Sequence, residues 1–513
     1  MNRLDSHDKV EAASRLLARL LEARAAWFLR EGRDAAAAVE LRRGEWELRV
    51  AGGSLVFSYW GESGLRRWRV AAWRAEGEGL YLEAVGRAGA RRALLSLVPR
   101  APVASARAAV ADARRAECER LAALFCEAAC ARLEHASLSP GARRGEPGRW
   151  ARVLLRMKAV GSEHVALAAP VVPAGAEAVE SFLTSALLWF ERLGEGGRGA
   201  RTLRLVAPRA LAAAVSERLP LLREGLRERV SLYELAEGER RPSLLDVPTL
   251  EELLDAPAPR LARAAGRAPS ELTAGVVALA PDEIDFVRAR YGETLRFHGL
   301  PFARVRRVAG REQLWFGVGN HRDLFEEGKE ADFFNLLDAL REHRRAAAPE
   351  RRHALYRAAP EAWLEALLRR DVTRLDPGLR LAPIHAQFRA APGAAARPVD
   401  LLALRRDGRL VVVELKVSED AALALQGADY WRRVEAQRRA GHINGAGLFG
   451  DAELSDEPPL LYLVAPMLRF HRSFHALARC LSPRIETYRL DLNEDWRAGP
   501  RVVRRVALTN NWR

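Results

Sequence analysis

Asp400, Glu414 and Lys416 are the residues of this chain whose types and spacing could do chemistry together. Asp400 opens the apolar run Leu401-Leu402-Ala403-Leu404, and Glu414-Leu415-Lys416 closes the run Leu410-Val411-Val412-Val413. Asp407-Gly408 between the runs is a hairpin signal. Two paired strands would bring Asp400 beside Glu414 and Lys416. Strand alternation would put Glu414 and Lys416 on one face and Leu415 on the other. Two carboxylates and an ammonium converging at the end of an apolar hairpin suit a hard divalent cation and a polarised water. The competing reading is an ordinary salt bridge on an exposed hairpin. Lysine usage weighs against it: among 82 Lys and Arg residues only Lys9, Lys158, Lys329 and Lys416 are lysine. Where any positive charge would serve, this chain uses arginine. Lys416 supplies a compact charge on a flexible stem, which reaches a water and a phosphate oxygen better than a planar guanidinium does.

The elements that must position these groups lie in the last third of the chain, 351–513. Periodicity and turn residues predict helix 359–370, strands 379–389, 398–405 and 409–417, helix 421–440, strand 459–465, helix 471–481, and strands 484–491 and 501–508. Together these make a mixed α/β sheet with a central hairpin. Val411, Val412 and Val413 would keep its frame rigid, so that the acids converge at fixed geometry.

Pro398-Val399-Asp400, then Glu414-Leu415-Lys416 fourteen positions after Asp400, resembles the PD-(D/E)xK nuclease superfamily, with its restriction-endonuclease-like fold. The proline stands one place further from the aspartate than the family name implies. Gln426-Gly-Ala-Asp-Tyr430 resembles the Gln-x-x-x-Tyr signature of RecB-type members, and Glu361-Ala-Trp-Leu-Glu365 resembles the acidic first-helix motif. The pattern also resembles the catalytic domain of the archaeal NucS/EndoMS-like endonucleases. It covers the last third of the chain and nothing in the N-terminal half. The resemblance implies that Asp400 and Glu414 hold Mg²⁺ or Mn²⁺ with help from the Leu415 carbonyl, and that Glu361 completes the acidic cluster. Glu365, one turn on and on the same face, remains an alternative to Glu361. It implies that Lys416 orients the attacking water and stabilises the transition state, and that Gln426 and Tyr430 position the scissile strand. Tyr430 would also pack, and Trp431 mainly packs. His385 and Gln387, on the strand before the motif, share a face that could meet the site. A partly buried histidine without catalytic duty is the plainer reading of His385.

Upstream, four regions are expected: an N-terminal α+β domain (1–140), an α/β domain (150–240), a linker with a small α+β element (241–350) and the nuclease-like domain (351–513). The first begins with an amphipathic helix over 8–30. Short alternating runs at 39–50, 54–59, 67–73, 80–85 and 93–97 then suggest an antiparallel meander, followed by a long helix, 103–135, and a boundary loop at 137–148. Trp60, Arg66, Arg67, Trp68, Arg69, Trp73 and Arg74 interleave aromatics with arginine, either as a base-stacking strip or as a sheet with Trp inside and Arg outside; packing is the preferred reading. Leu203-Arg-Leu-Val-Ala-Pro208, a helix and 230–235 echo Leu461-Tyr-Leu-Val-Ala-Pro466, a helix and 485–490, with Trp189-Phe190 against Tyr430-Trp431. In that comparison Leu167 and Ala169 fall at Glu414 and Lys416, so the middle would be a degenerate nuclease-like fold lacking the acids. Different strand orders in the two segments would end the idea.

A net charge of +15 favours a polyanionic partner, though a chain that writes Arg wherever it can is a bland source of the same charge. Cys118, Cys126, Cys130 and Cys480 have no Cys-x-x-Cys or neighbouring His, so buried thiols in a reducing, cytoplasmic setting are expected rather than a metal site. No apolar run is long enough to span a membrane and the first residues carry no secretory signal. The expected function is metal-dependent hydrolysis of nucleic acid, most simply a DNA endonuclease or exonuclease in repair, defence or DNA processing. The alternative is a nucleic-acid-binding or scaffold protein with an inactive nuclease fold. DNA versus RNA and the oligomeric state, a homodimer among the choices, stay open.

Overall fold

The run after Asp400 and the run before Lys416 form adjacent antiparallel strands, in register from Leu401↔Val413 to Leu404↔Leu410. The connection is five residues long rather than a two-residue turn. Asp407 accepts a hydrogen bond from the Arg409 amide, and Gly408 sits at φ +83°, where a Cβ would lie 2.6 Å from the Glu453 carbonyl oxygen. The structure is a computed structural model. It describes residues 2–31, 38–61, 64–86, 92–100, 103–141, 146–158, 163–195, 199–236, 238–239, 241–261, 268–289, 292–308, 310–319, 322–390 and 398–508.

This hairpin is the centre of a six-stranded sheet whose strands follow one another in sequence order: β1 (His385–Phe388), β2 (Val399–Leu404), β3 (Leu410–Leu415), β4 (Leu460–Pro466), β5 (Thr487–Leu492) and β6 (Val502–Ala507). β1, β2 and β3 are antiparallel, β3 to β5 parallel, and β6 antiparallel to β5. A parallel strand needs a crossover, and α2 (Leu423–Arg439) supplies it between β3 and β4. α1 (Pro360–Arg370) covers the opposite face through Trp363, Leu364 and Leu368, which pack on Leu401, Val411, Val413 and Tyr462. α2 covers the face of Leu402, Val412, Leu461 and Leu463. With both faces buried, β3 and β4 read as unbroken apolar runs rather than as alternation.

The middle of the chain builds a second six-stranded sheet from Ala131–Pro140, Pro147–Met157, His164–Pro170, Thr202–Ala207, Val230–Glu234 and Ser243–Leu245. Its strand order and its sequence of antiparallel, antiparallel, parallel, parallel and antiparallel pairings equal those of the C-terminal sheet. The helix Val179–Glu195 occupies the crossover that α2 occupies in the other. The registers move the expected equivalence by one residue. Ala168 pairs with Leu205 as Glu414 pairs with Leu463, so Ala168 and Pro170 take the places of Glu414 and Lys416, while Leu167 faces the other core. The sequence comparison lacked the pairing register that fixes which residue faces which layer.

The two sheets share one core. Phe182, Leu183 and Trp189 lie in the same apolar cluster as Trp431, Val434 and Phe474. An antiparallel bridge, Leu222↔Leu481, joins the halves, with Arg223 N donating to Cys480 O and Ser482 N to Leu221 O. Between them in sequence, a five-stranded antiparallel sheet running from Ile284–Ala289 to Asp323–Leu324 packs on the helix Glu330–His343. Arg344, fully buried after that helix, donates to the carbonyls of Phe297, His298, Leu355, Ala358 and Ala359.

The chain divides into two compact units, Met1–Ala113 and Arg114–Arg513. In the first, the expected helix 8–30 is shorter, His7–Glu22, because Trp27 and Leu29 belong to a strand, Ala26–Glu31, of an eight-stranded antiparallel sheet. Trp68 and Trp73 are buried in its core and Arg67, Arg69 and Arg74 are exposed, the packing arrangement; the side chain of Trp60 lies outside the described residues. The helix expected over 103–135 is Val103–Ala128, and the strand after it, Ala131–Pro140, pairs with Pro147–Met157. The loop at 137–148 is therefore internal to a sheet and not the break between units. Among the described residues no helix is long and apolar enough to cross a membrane.

Candidate active site

β2 and β3 deliver the expected acids to one place. Asp400 Oδ2 accepts a hydrogen bond from the Leu415 amide at 2.8 Å, and the Asp400 and Glu414 carboxyl groups stand close enough for each to shift the other's proton affinity. Lys416 Nζ donates to Glu414 Oε1 at 2.5 Å, so Glu414 and Lys416 share a face as alternation requires. Glu414 is wholly buried, and its Oε2 has no hydrogen-bond partner.

The electrostatics follow from that crowding. Burial, then the charge of Asp400, holds the Glu414 carboxyl well above the usual carboxylate range. Burial also raises Asp400. Burial works against the Lys416 charge, but the Glu414 carboxylate outweighs it, and the ammonium is held above its ordinary value. Two carboxylates in contact compete for one proton, and an added cation would relieve them.

The helix α1 contributes Glu365 more closely than Glu361. Glu365 is buried and accepts a hydrogen bond from Gln387 Nε2 at 2.8 Å, whereas Glu361 is exposed one turn earlier, with an electrostatic influence on Lys416. Burial raises the Glu365 carboxyl, opposed chiefly by Arg296, whose Nη1 lies 3.4 Å from Glu365 Oε1. Gln387 also hydrogen-bonds Asp400, standing across from it between the pairs Ala386↔Leu401 and Phe388↔Val399. Its φ of +51° is left-handed, a costly conformation for glutamine that turns its amide into the site.

On α2, Gln426 Nε2 donates to Tyr430 Oη at 2.8 Å, the i,i+4 contact of one helix face. Burial, then the Glu414 charge, raises the Tyr430 phenol, which places the pair beside the acids. Gly427 lets α2 lie close on β4: a Cβ there would be 2.6 Å from the Leu463 side chain. Trp431 donates to the Pro459 carbonyl and packs, as expected. His385 is a packed residue too, with Nε2 2.7 Å from the Leu448 carbonyl and its ring edge-on to Phe449.

Of the face that His385 and Gln387 were expected to turn toward the site, Gln387 is the member that reaches it, through Glu365. One participant carries no sequence signal. Arg296 belongs to a separate sheet, 69 residues before Glu365, and nothing local marks it. Among the described residues, no three His, Cys, Asp or Glu side chains gather closely enough to hold a metal by themselves. The donor set that exists is Asp400, Glu414 and the Leu415 backbone. An orphaned buried carboxylate oxygen beside a second carboxylate fits Mg²⁺, which binds through one or two carboxylates and completes its shell with waters and substrate phosphate oxygens.

No family profile and no curated protein matches the chain. Two solved structures are similar to parts of it. One is EndoMS in apo form, at 18% identity over 45% of this chain and 95% of that one, with a TM-score of 0.16. The other is a repair endonuclease from Pyrococcus abyssi, at 14% identity over 48% of this chain and 98% of that one, with a TM-score of 0.14. Likeness at these scores carries no argument about what this chain does.

Proposed function

We propose that this chain is a metal-dependent nuclease, hydrolysing phosphodiester bonds of DNA, with a restriction-endonuclease-like C-terminal domain and Mg²⁺ or Mn²⁺ at Asp400 and Glu414. One observation carries the reading: a fully buried glutamate keeps a free oxygen beside a second acid, with a lysine on its other oxygen. As a structural ion pair this is poor design, since an unpartnered buried carboxylate oxygen is costly. As a cradle for a cation it is complete on the protein side. The net charge of +15 supports a polyanionic substrate.

The bound cation would lower the pKa of a water and meet the charge that phosphorus gains in the transition state. The protein does the rest. Asp400 and Glu414 hold the cation and are themselves fixed by the Leu415 amide and Lys416. Lys416, still an ammonium, reaches from Glu414 to orient the water and a phosphate oxygen. Gln387 ties Asp400 to Glu365, and Glu365 stays the helix acid on this reading, with Glu361 too exposed for the first role. Tyr430 and Gln426 line the wall where the scissile strand lies.

The test is incubation of the purified chain with labelled single- and double-stranded DNA, with Mg²⁺, Mn²⁺ or chelator. Metal-dependent cutting that Asp400→Ala lowers by at least about 100-fold is expected, the order seen when a reaction loses one preorganised electrostatic group. Cutting that persists in chelator, or in Asp400→Ala, refutes the assignment. Binding without cutting under every metal points instead to a nucleic-acid-binding protein with an idle site.

A further inference from the structure

The matched sheets allow the acid pair to be compared with its counterpart position by position. Val412 pairs with Leu402 and Leu461, and Ala166 pairs with Leu154 and Leu203. Two residues on, Glu414 pairs with Leu463 and stands beside Asp400, whereas Ala168 pairs with Leu205 and Arg152. The aspartate's place is taken by an arginine, and its partner acid by a methyl group. On the helices, aligning Trp189-Phe190 with Tyr430-Trp431 puts Ser185 where Gln426 stands. The middle half thus carries a cation where the C-terminal half carries its acids.

Arg152 is only 8% exposed. Its Nη2 donates to Ser185 Oγ at 2.9 Å and makes a long contact to the Ser185 carbonyl at 3.4 Å, and its buried Nε has no partner. Among the described residues no carboxylate pairs with it; burial, then the neighbouring cation Arg192, pulls its pKa down to about 10. Structural arginines in this chain look different. Arg344, more deeply buried, meets five carbonyls, and Arg218, whose Nε also lacks a partner, still meets the carboxylates of Asp429, Glu217 and Glu180. A buried guanidinium with neither an anion nor a set of carbonyls around it is disfavoured, and such a group is set up to receive an anion.

We infer that Arg152, with Ser185 and Arg192, forms a phosphate-binding site for the nucleic-acid backbone, in the place where the other half holds its acid pair. The inference rests on the nuclease reading for its substrate, and on the shared topology for its place. On this view the chain grips nucleic acid at two equivalent clefts and cuts at one. The middle half is a holder, and a single chain yields a single break per binding event.

The probes are inorganic phosphate and a short DNA duplex in chelator. Phosphate should raise the melting temperature of the wild-type chain, and Arg152→Met should abolish that rise while Arg152→Lys keeps part of it. In a salt titration from about 50 to about 200 mM, duplex affinity should fall roughly threefold in Arg152→Met at the low-salt end, with the salt slope reduced by about one unit, the signature of one lost phosphate contact. An unchanged phosphate response and an unchanged salt slope in a folded Arg152→Met overturn the site. Should that variant not fold, Arg192→Ala, a change on the exposed helix surface, is read the same way: a smaller slope supports the site and an identical slope overturns it. A wild-type chain that shows Arg152-dependent phosphate binding yet cuts no substrate sinks the nuclease reading and leaves the site. A chain that cuts, with no dependence on Arg152 or Arg192, does the reverse.

Discussion

At Glu414, burial and a second carboxylate push in the same direction, so ionising it in the metal-free protein is unfavourable. The sign of the consequence is fixed by linkage. An unfolded chain releases this proton near the ordinary value of 4.5, but the folded chain holds it to a higher pH. The folded state therefore binds more protons above that point, and stability falls as pH rises from about 4.5. The loss continues until pH passes the folded value, and each pH unit of that interval costs about 1.4 kcal/mol. Thermal unfolding in chelator should show the melting temperature declining across this window, Glu414→Gln should flatten the decline, and Mg²⁺ should restore the wild-type chain alone. A melting temperature that rises with pH in the metal-free wild type would show that Lys416, not Asp400, governs Glu414. These acids were legible in the sequence because their neighbours are apolar and their spacing fits a hairpin. Gln387 was legible only as a neighbour on the preceding strand; its bond to Glu365 and its left-handed backbone angle are announced by no residue type. Glu361 and Glu365 could not be separated by periodicity, as they lie on one helix face; the Gln387 amide and Arg296 pick out Glu365.

Among elements, α2 matters most, because one face bears Gln426 and Tyr430 and another is pressed on β4. Its fit depends on Gly427, where any side chain meets Leu463 and Leu461. Gly427→Val should cost about 1–3 kcal/mol through overpacking, read as a lower denaturation midpoint. Cutting should fall further than stability does, since a helix lifted from β4 carries Tyr430 away from Glu414. If activity per folded molecule is unchanged, Tyr430 has no positioning duty. α2 is anchored on its far side as well. Asp429, fully buried, is 3.0 Å from Arg218 of the middle half and also pairs with Arg432 and Arg433. Burial opposes its charge, but these three cations outweigh it and hold the carboxyl below its ordinary 3.8. Arg218→Ala removes one of three cations around that carboxylate, Arg432 and Arg433 remaining, and should cost about 1–3 kcal/mol. The same depression means that Asp429 stabilises the fold above about pH 3.8, and that this contribution fades as pH falls through its lower folded value. Most helix and strand boundaries of this half were legible to within three residues, because long apolar runs and an amphipathic helix are strong local signals; the strand expected over 379–389 is the exception, shortened to His385–Phe388. The anchor was not, because Arg218 and Asp429 lie 211 residues apart.

At the scale of the molecule, the sequence suggested separable domains, and the structure joins several of them. Trp431 and Val434 of α2 lie in one core with Phe182 and Trp189 of the middle helix, and the isolated bridge Leu222↔Leu481, outside the strands of either sheet, links the two halves. On the other face, Arg296 of the five-stranded sheet ends at Glu365 beside the acids. The C-terminal sheet thus shares its core on the α2 side with the middle half, and one of its site acids is paired from outside it. Such halves do not unfold independently, because separating them exposes apolar area worth about 25 cal/mol per Å² and takes Arg218 from Asp429. A fragment beginning at residue 346 should therefore give no cooperative thermal transition and no metal-dependent cutting, although it carries Asp400, Glu414 and Lys416. The compact unit Arg114–Arg513 should unfold in one transition. Circular dichroism melts on both fragments decide it: a sharp transition in the shorter one would mean that the shared core is an accessory contact, and that the catalytic sheet folds without its counterpart.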